Sequence, residues 1–484
     1  MKRLHFYYLF ALLIGLGFTA CNDDDMNPDA VGCDSTAGPC PTLVEERTLD
    51  RSCDDGTAVT LTIVEVTDLG EGTGTTRWTS DKVYILNGLV FVNDGQTLTI
   101  EAGTIIKGRA GQNEEASALI VARGGRIMAD GTAADPIVLT SEADGIYRTP
   151  SGDPCTETTL DANTRGLWGG VIVLGKAGIT SDTEERAVDG IPTTEARGLY
   201  GGTEDGDNSG VLRYVSIRHG GTDIGAGNEI NGLTMGGVGS GTTIENVEVF
   251  ANNDDGFEWF GGTVNTKRLV AAFCGDDSFD YDEGYRGLNQ FWLAYQKNVG
   301  DRGGEHDGGP SSCETCTPFA IPQIYNATYI GQGEAAGTRL VSLRDNAGGK
   351  YFNSIFVDYG RGVDIEFLPG SDDSFKQVQE GNLEFRNNLF FNVATGGDLF
   401  TVTNGSDDTT LDLSTEEAEL AAMVADWENT VGDPQFENLV PRAAPGDLAP
   451  TPSDNFIETV DYKGAVNTNG TPWISGWTRL SQEL

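Results

Sequence analysis

Two consecutive stretches of this chain are variants of one another. Residues 246–262 read NVEVFANNDDGFEWFGG and residues 268–284 read RLVAAFCGDDSFDYDEG, an offset of 22 residues without a gap. The offset places Val247 on Leu269, Asp254 and Asp255 on Asp276 and Asp277, Phe257 on Phe279, Glu258 on Asp280, and Trp259 on Tyr281. Turn and strand chemistry therefore repeat together. A unit this short cannot bury its own apolar face, so it must stack on copies of itself.

Neighbouring segments extend the series. Residues 231–237 match 255–261 at an offset of 24, and Val215 matches Val247 at 32, the difference being an insertion between His219 and Asn231. Downstream, Asp301 to Gly308 match Asp277 to Gly284 at 24. Val83–Lys107, Ala118–Thr140 and Gly166–Ile179 read as earlier rungs. Tyr325–Ile330, Tyr351–Val357 and Leu383–Phe391 repeat an aromatic-Asn-aliphatic theme. Short strands with variable turns and little helix predict an all-β chain, a parallel β-helix with rungs of about 22–24 residues. The crossover preference of parallel strands makes it right-handed. A β-propeller, the competing architecture, needs blades of roughly twice this period.

Ser414–Trp427 breaks the pattern: two acidic residues follow Ser414, and Leu420, Met423, Val424 and Trp427 recur at helical spacing. This predicts a helix near the C-terminal end. The last segment, with Trp473 and Trp477, is expected to cap the solenoid against edge-to-edge association. The resulting organisation is a signal peptide over 1–20, a tether over 21–45, an N-terminal cap over 46–80, the β-helix over 81–400, and a helix-containing C-terminal segment and cap over 401–484.

The signal peptide rests on Lys2 and Arg3, the apolar run Phe6–Phe18, and the small residues before Cys21. Cys21 is the expected site of lipidation. The Asp-rich cluster after it resembles the surface-export signal of Bacteroidota-type lipoproteins, which implies anchorage in the outer membrane facing the cell exterior. With 74 acidic and 31 basic residues and a formal charge of -43, bulk electrostatics exclude nucleic acid and anionic lipid as partners. Eight cysteines suit an oxidising compartment. Cys33 with Cys40, Cys313 with Cys316, and Cys53 with Cys155 are candidate bridges. Cys274, in a strand pattern, is the candidate buried free thiol. A zinc site at Cys313 and Cys316 would lack a second ligand pair.

The chemistry-bearing residues lie in the repeat. Stacked rungs place equivalent residues about 4.8 Å apart, and side chains alternate in and out. If Phe257, Trp259, Phe279 and Tyr281 point inward, then Glu258, Asp280 and Asp282 gather on one outer face, with His306 one rung on. Asp254 stacks on Asp276 and Asp255 on Asp277. Such charges need compensation. Calcium supplies it with Asp254, Asp255, Asp276, Asp277, Asp280 and Asp282 as ligands; neighbouring arginines (Arg268, Arg286, Arg302) supply it otherwise; so do raised carboxyl pKa values suited to acid catalysis. Asp in turns also bonds its own backbone, a purely structural role. The catalytic candidates are Glu258, Asp280, Asp282, His306 and Arg286. His306, among glycines and acids, is expected to be an exposed proton carrier. Phe260, Tyr285 and Trp292, if outward, offer carbohydrate contacts.

The stretch from Leu212 to Gly309, with LRYVSIRHGG, NEINGLTMGGVGSGTTIENVEVFANNDDGFEWFGG, FCGDDSFDYDEGYRG and GDRGGEHDGG, resembles a family of uncharacterised bacterial surface lipoproteins. The likeness extends more weakly over roughly residues 80–480. It implies a pectate-lyase-like β-helix. Lyase chemistry by analogy would use carboxylates such as Asp276, Asp277, Asp280 and Asp282 around calcium, with Arg286 or Arg302 as base, but no lyase or galacturonan-hydrolase signature maps onto the chain. Three functions follow as expectations: a non-catalytic glycan- or protein-binding surface module with calcium-stabilised acidic rungs, a polysaccharide lyase or glycoside hydrolase, and a structural or adhesive envelope component.

Overall fold

A computed structural model describes residues 42–484 except 113–114, 150, 157–158, 223–229, 311 and 314. Cys21, the acidic residues after it, the Cys33–Cys40 pairing and the leader lie outside the described residues. No helix among the described residues is long and apolar enough to cross a membrane.

The chain coils into a parallel β-helix with three ladders of stacked strands. The third ladder, which carries the candidate site, runs through ten parallel strands, among them Leu89–Val92, Ala118–Val121, Val171–Leu174, Leu233–Gly236, Phe257–Phe260, Phe279–Asp282, Arg302–Asp307 and Arg339–Arg344. The other two ladders join at a kink. In Gly210–Arg218, Thr243–Phe250, Asn265–Ala272 and Leu288–Tyr295 both ladders belong to one strand, bent at Tyr214, Asn246, Arg268 and Phe291, all with positive φ. Pairing carries this column on to Asn326, Asn353 and Asn387, with φ of 55°, 55° and 56°. Asn tolerates the left-handed conformation better than other side chains of its size. The aromatic-Asn-aliphatic theme is thus the bend between two ladders.

The registers follow the repeat where it is gapless. Phe257 pairs with Phe279, Glu258 with Asp280 and Trp259 with Tyr281; Leu233 pairs with Phe257 and Val215 with Val247. Inside, rings stack along the axis: Trp259 on Trp292 at 4.9 Å, Phe279 on Trp292 at 4.6 Å, and Phe257 on Phe279 at 5.5 Å between centroids. Each such residue buries a large apolar surface and gains offset-stacking energy of about 0.5–1.5 kcal/mol beyond it. Tyr285 and Trp292 belong to this core and Phe260 is 8% exposed, so none of the three offers the outward aromatic surface expected.

The ends differ from expectation. The first described strand, Thr42–Ser52, pairs antiparallel with Ala58–Asp68, so the last residues of the segment read as tether belong to a strand. At the other end, the helix Ser414–Val424 with its extension Ala425–Trp427 buries Leu420 and Trp427 against the last coil. Ser414 is the first helical residue, and its N–H donates to Asp412. The segment after the final strand, Thr430–Val431, does not close the coil end. It runs back along the outer side of the kinked strands, covering Phe250, Val270, Leu293 and Ile355 with Ile474 and Leu480. Buried Glu248 accepts the N–H groups of Arg479 and Leu480 at 2.7 and 2.8 Å, and Trp477 packs edge-on against Tyr214. Cys53 is bonded to Cys155 and Cys313 to Cys316, and Cys274 is a buried free thiol.

Candidate functional site

One outward column of the third ladder changes character along its length. It runs Phe91, Ile120, Ile172, then Thr234, Glu258, Asp280, Glu305, Ser342 and Asp364. The loop from Ile179 to Tyr200 folds over the apolar half, packing Ile179, Val188, Ile191 and Tyr200 against it. Past that loop the column is polar and acidic.

Oxygens of Asp255, Glu258 and Asp280 come within 4.8 Å of one another, as do those of Asp254, Asp255 and Asp276, and of Asp276, Asp277 and Asp301. Asp255 is 7% exposed and accepts the Asp277 N–H at 2.9 Å. Glu258 accepts a hydrogen bond from the Asn231 amide. Asp280 Oδ1 is closed to solvent and has no hydrogen-bond partner among the described residues. Asp255, Glu258, Asp280 and Asp282 form no ion pair with any described lysine or arginine. Burial, followed by the neighbouring carboxylates, pushes the carboxyl pKa values of Asp255, Glu258 and Asp280 well above the usual range. Burial raises Asp282 to about 8 and Glu283 to about 7.

One rung further on, the compensation is different. Arg302 reaches Asp277 at 3.2 Å, Asp301 at 2.8 Å and Glu305 at 3.3 Å. Arg344 reaches Glu305 at 2.5 Å and Asp307 at 2.8 Å. Arg286 and Arg268 are not part of either group. Arg286 binds Asp205 at 3.1 Å and the Gly284 carbonyl at 2.8 Å, and Arg268 binds Glu458 on the returning C-terminal segment. Arg286 therefore does not stand as a base beside Asp280.

His306 corrects the sequence reading most directly. The rung offset here is 25, not 24: Asp280 pairs with Glu305 and Tyr281 with His306. Because strand side chains alternate, a one-residue change of register moves His306 from the outer face to the inner one. Its ring stacks on Tyr281 at 3.8 Å, Nε2 meets the Tyr351 hydroxyl at 2.7 Å, and it is 0% exposed. Burial lowers its pKa to about 3, so it is a neutral core residue. His219 is also buried, with Nδ1 2.7 Å from the Thr164 carbonyl oxygen. Glu258, Asp280 and Asp282 do point outward, but neighbouring loops leave them only half-exposed.

The structure adds residues that carried no sequence signal. Arg186 and Tyr200, from the covering loop, both hold Glu283, the tyrosine hydroxyl donating at 2.7 Å. The Thr180 hydroxyl donates to the Pro318 carbonyl, bringing the loop containing the Cys313–Cys316 bridge against the same edge. An all-oxygen cluster of this kind matches a hard cation, which takes six to eight oxygens at about 2.3–2.6 Å, and Asp255, Glu258 and Asp280 are the residues that would hold it.

Comparison with known proteins gives a fold and little else. No curated protein matches the chain. A structural likeness is found to tailspike protein 2 of Escherichia coli O157:H7 bacteriophage CAB120, with 12% identity, a TM-score of 0.22, and coverage of 68% of this chain and 38% of the tailspike chain. This chain thus spans well under half of the tailspike, and a superposition of that quality carries no argument about activity. The model of the pectate-lyase-like β-helix domain matches residues 70–478, nearly the whole of the described coil, and the chain belongs to that family.

Proposed function

We propose that this protein is a lipid-anchored surface module of the outer membrane that binds polysaccharide along the third ladder, with a divalent cation, calcium, completing its acidic rungs. The observation that carries the reading is the set Asp255, Glu258 and Asp280, three converging carboxylates without a basic partner among the described residues. Like charges so close repel by about 1 kcal/mol each in water and by more when partly desolvated. A cation removes that cost and leaves coordination positions open to ligand hydroxyls. Lipidation at Cys21 agrees with the leader that precedes it.

A second reading, cleavage of the polysaccharide, is favoured by the raised carboxyl pKa of Asp282, since a carboxyl protonated near neutrality is a general acid. His306 has no part in it. The two readings separate in one experiment: retention of the soluble ectodomain on immobilised neutral and uronic-acid polysaccharides, with calcium or with chelator, while product size is followed. Calcium-dependent retention without shortening of the polymer is expected. Shortening abolished by Asp282→Asn would establish the enzyme instead, and no retention on any polymer would refute the binding module.

A further inference from the structure

A second feature of the third-ladder side stands apart from the acidic rungs. Where the strands Leu89–Val92, Ala118–Val121 and Val171–Leu174 end, their turns and the loop 185–204 line an open pocket of about 470 Å³, within the range of small-molecule sites. Its charged lining is balanced: Arg123, Lys176 and Arg197 face Asp94, Glu185 and Glu204. Two of the cations are used up by the fold. Arg123 binds Glu185 at 2.6 Å and the Gly201 carbonyl at 3.0 Å. Arg197 lies over the Phe91 ring at 3.9 Å and binds Asp68 at 2.7 Å and Glu195 at 2.6 Å.

Lys176 and Asp94 are not used up. The Lys176 ammonium makes no ion pair or hydrogen bond among the described residues, and Asp94 makes no ion pair. Yet both approach the same point. A Cβ on Gly124, whose φ is +81°, would lie 1.9 Å from Asp94 Oδ1 and 3.1 Å from Lys176 Nζ. The bare glycine lets the Asp94 carboxylate lie against the backbone, with the Lys176 ammonium beside it but not ion-paired to it, so a donor and an acceptor of opposite charge converge at the pocket wall. Adjacent hydroxyls fit such a pair, one accepting from the ammonium and the other donating to the carboxylate. The balanced lining gives no net attraction for an anion.

We propose that this pocket is a subsite for one neutral, hydroxyl-rich sugar residue, held by Lys176 and Asp94 across adjacent hydroxyls beside Gly124. The assignment deepens the polysaccharide-binding reading and rests on it. Arg123 and Arg197 are positioning residues that hold the covering loop in place.

The test uses the full ectodomain and the methyl glycosides of glucose, mannose, galactose and xylose, with glucuronic and galacturonic acid alongside, followed by saturation-transfer NMR and calorimetry. At least one neutral glycoside is expected to bind. Lys176→Gln and Asp94→Asn should each weaken it by about tenfold or more, the usual scale for a lost hydrogen bond to a charged group. Gly124→Ser should weaken it by displacing the Asp94 carboxylate, and chelator should leave it unchanged, because no cation is needed at this pocket. Equal binding by wild type and both pocket variants, tighter binding of the uronic acids, or no binding of any monosaccharide would overturn the subsite. Calcium-dependent retention of polymer by Lys176→Gln would in those cases show that the wider reading stands without it.

Discussion

Two neighbouring pairs of rungs solve the same electrostatic problem in different ways. Around Asp277, Glu305 and Asp307 the acids are matched by Arg302 and Arg344. Around Asp255, Glu258 and Asp280, one rung earlier, no arginine or lysine among the described residues forms an ion pair, and an oxygen of Asp280 is buried without a partner among them. Arginine neutralises a rung permanently, because its charge does not titrate in the accessible range. A rung without arginine must hold protons or a cation, and its charge then depends on conditions. The first arrangement is a fixed ion-paired wall, and the second is where we propose the cation binds.

Breaking the arginine side of this contrast gives the largest expected effect. Arg302→Met strands Asp277, which is 1% exposed, and should cost roughly 3 kcal/mol, at the low end for a broken buried pair, read by chemical denaturation. Asp280→Asn should act in the opposite sense. It removes a buried carboxyl that without calcium must either repel its neighbours or hold a proton, so the calcium-free protein should gain stability, while calcium affinity falls by about tenfold or more, the scale known even for supporting groups around a metal. Loss of stability from both substitutions alike would dissolve the comparison.

The pH dependence sharpens it. Asp282 and Glu283 have folded-state pKa values raised to about 8 and about 7 by burial. Between the ordinary carboxyl range near pH 4 and those values, the folded protein binds more protons than the unfolded chain. Stability of the chelated protein should therefore be highest at the acid end of that window and be lost as pH rises through 7 and 8. Calcium should flatten the curve, seen as a melting temperature that becomes less sensitive to pH. The smallest effect belongs to His306→Phe. It forfeits the bond to Tyr351 in the core, worth about 1 kcal/mol, and should leave calcium and polysaccharide binding unchanged, whereas a proton carrier at that position would alter a pH profile of activity.

The fold was legible because the coil repeats its turn residues and its inward rings together. Between 246 and 284 the repeat has no gap, and the strand pairings predicted there, Val247 with Leu269, Phe257 with Phe279, Glu258 with Asp280 and Trp259 with Tyr281, are observed. The reading failed one rung later for a definite reason. The segment RGGEHD has Gly304 and His306 at its inward positions, so no apolar alternation marks which face is which. Matching Asp301 to Asp277 by identity hid the extra residue in the turn. The carboxylates of the site were visible as a repeated pattern; their lack of basic partners was not, since that depends on where Arg286 and Arg268 turn. The covering loop was invisible for another reason. Arg186, Tyr200, Lys176 and Asp94 come from turns and an irregular segment without periodicity, and only the fold brings them beside the ladder.

On the proposed function, a cation completes the rung that arginine leaves uncompensated. Calorimetric titration of calcium into the chelated ectodomain, at neutral pH in buffers of different ionisation enthalpy, tests it directly. Saturable binding accompanied by proton release is expected, because ligation displaces protons held by the raised carboxyl groups, with weaker binding in Asp280→Asn. Absence of saturable heat, or identical titrations of wild type and Asp280→Asn, would contradict it.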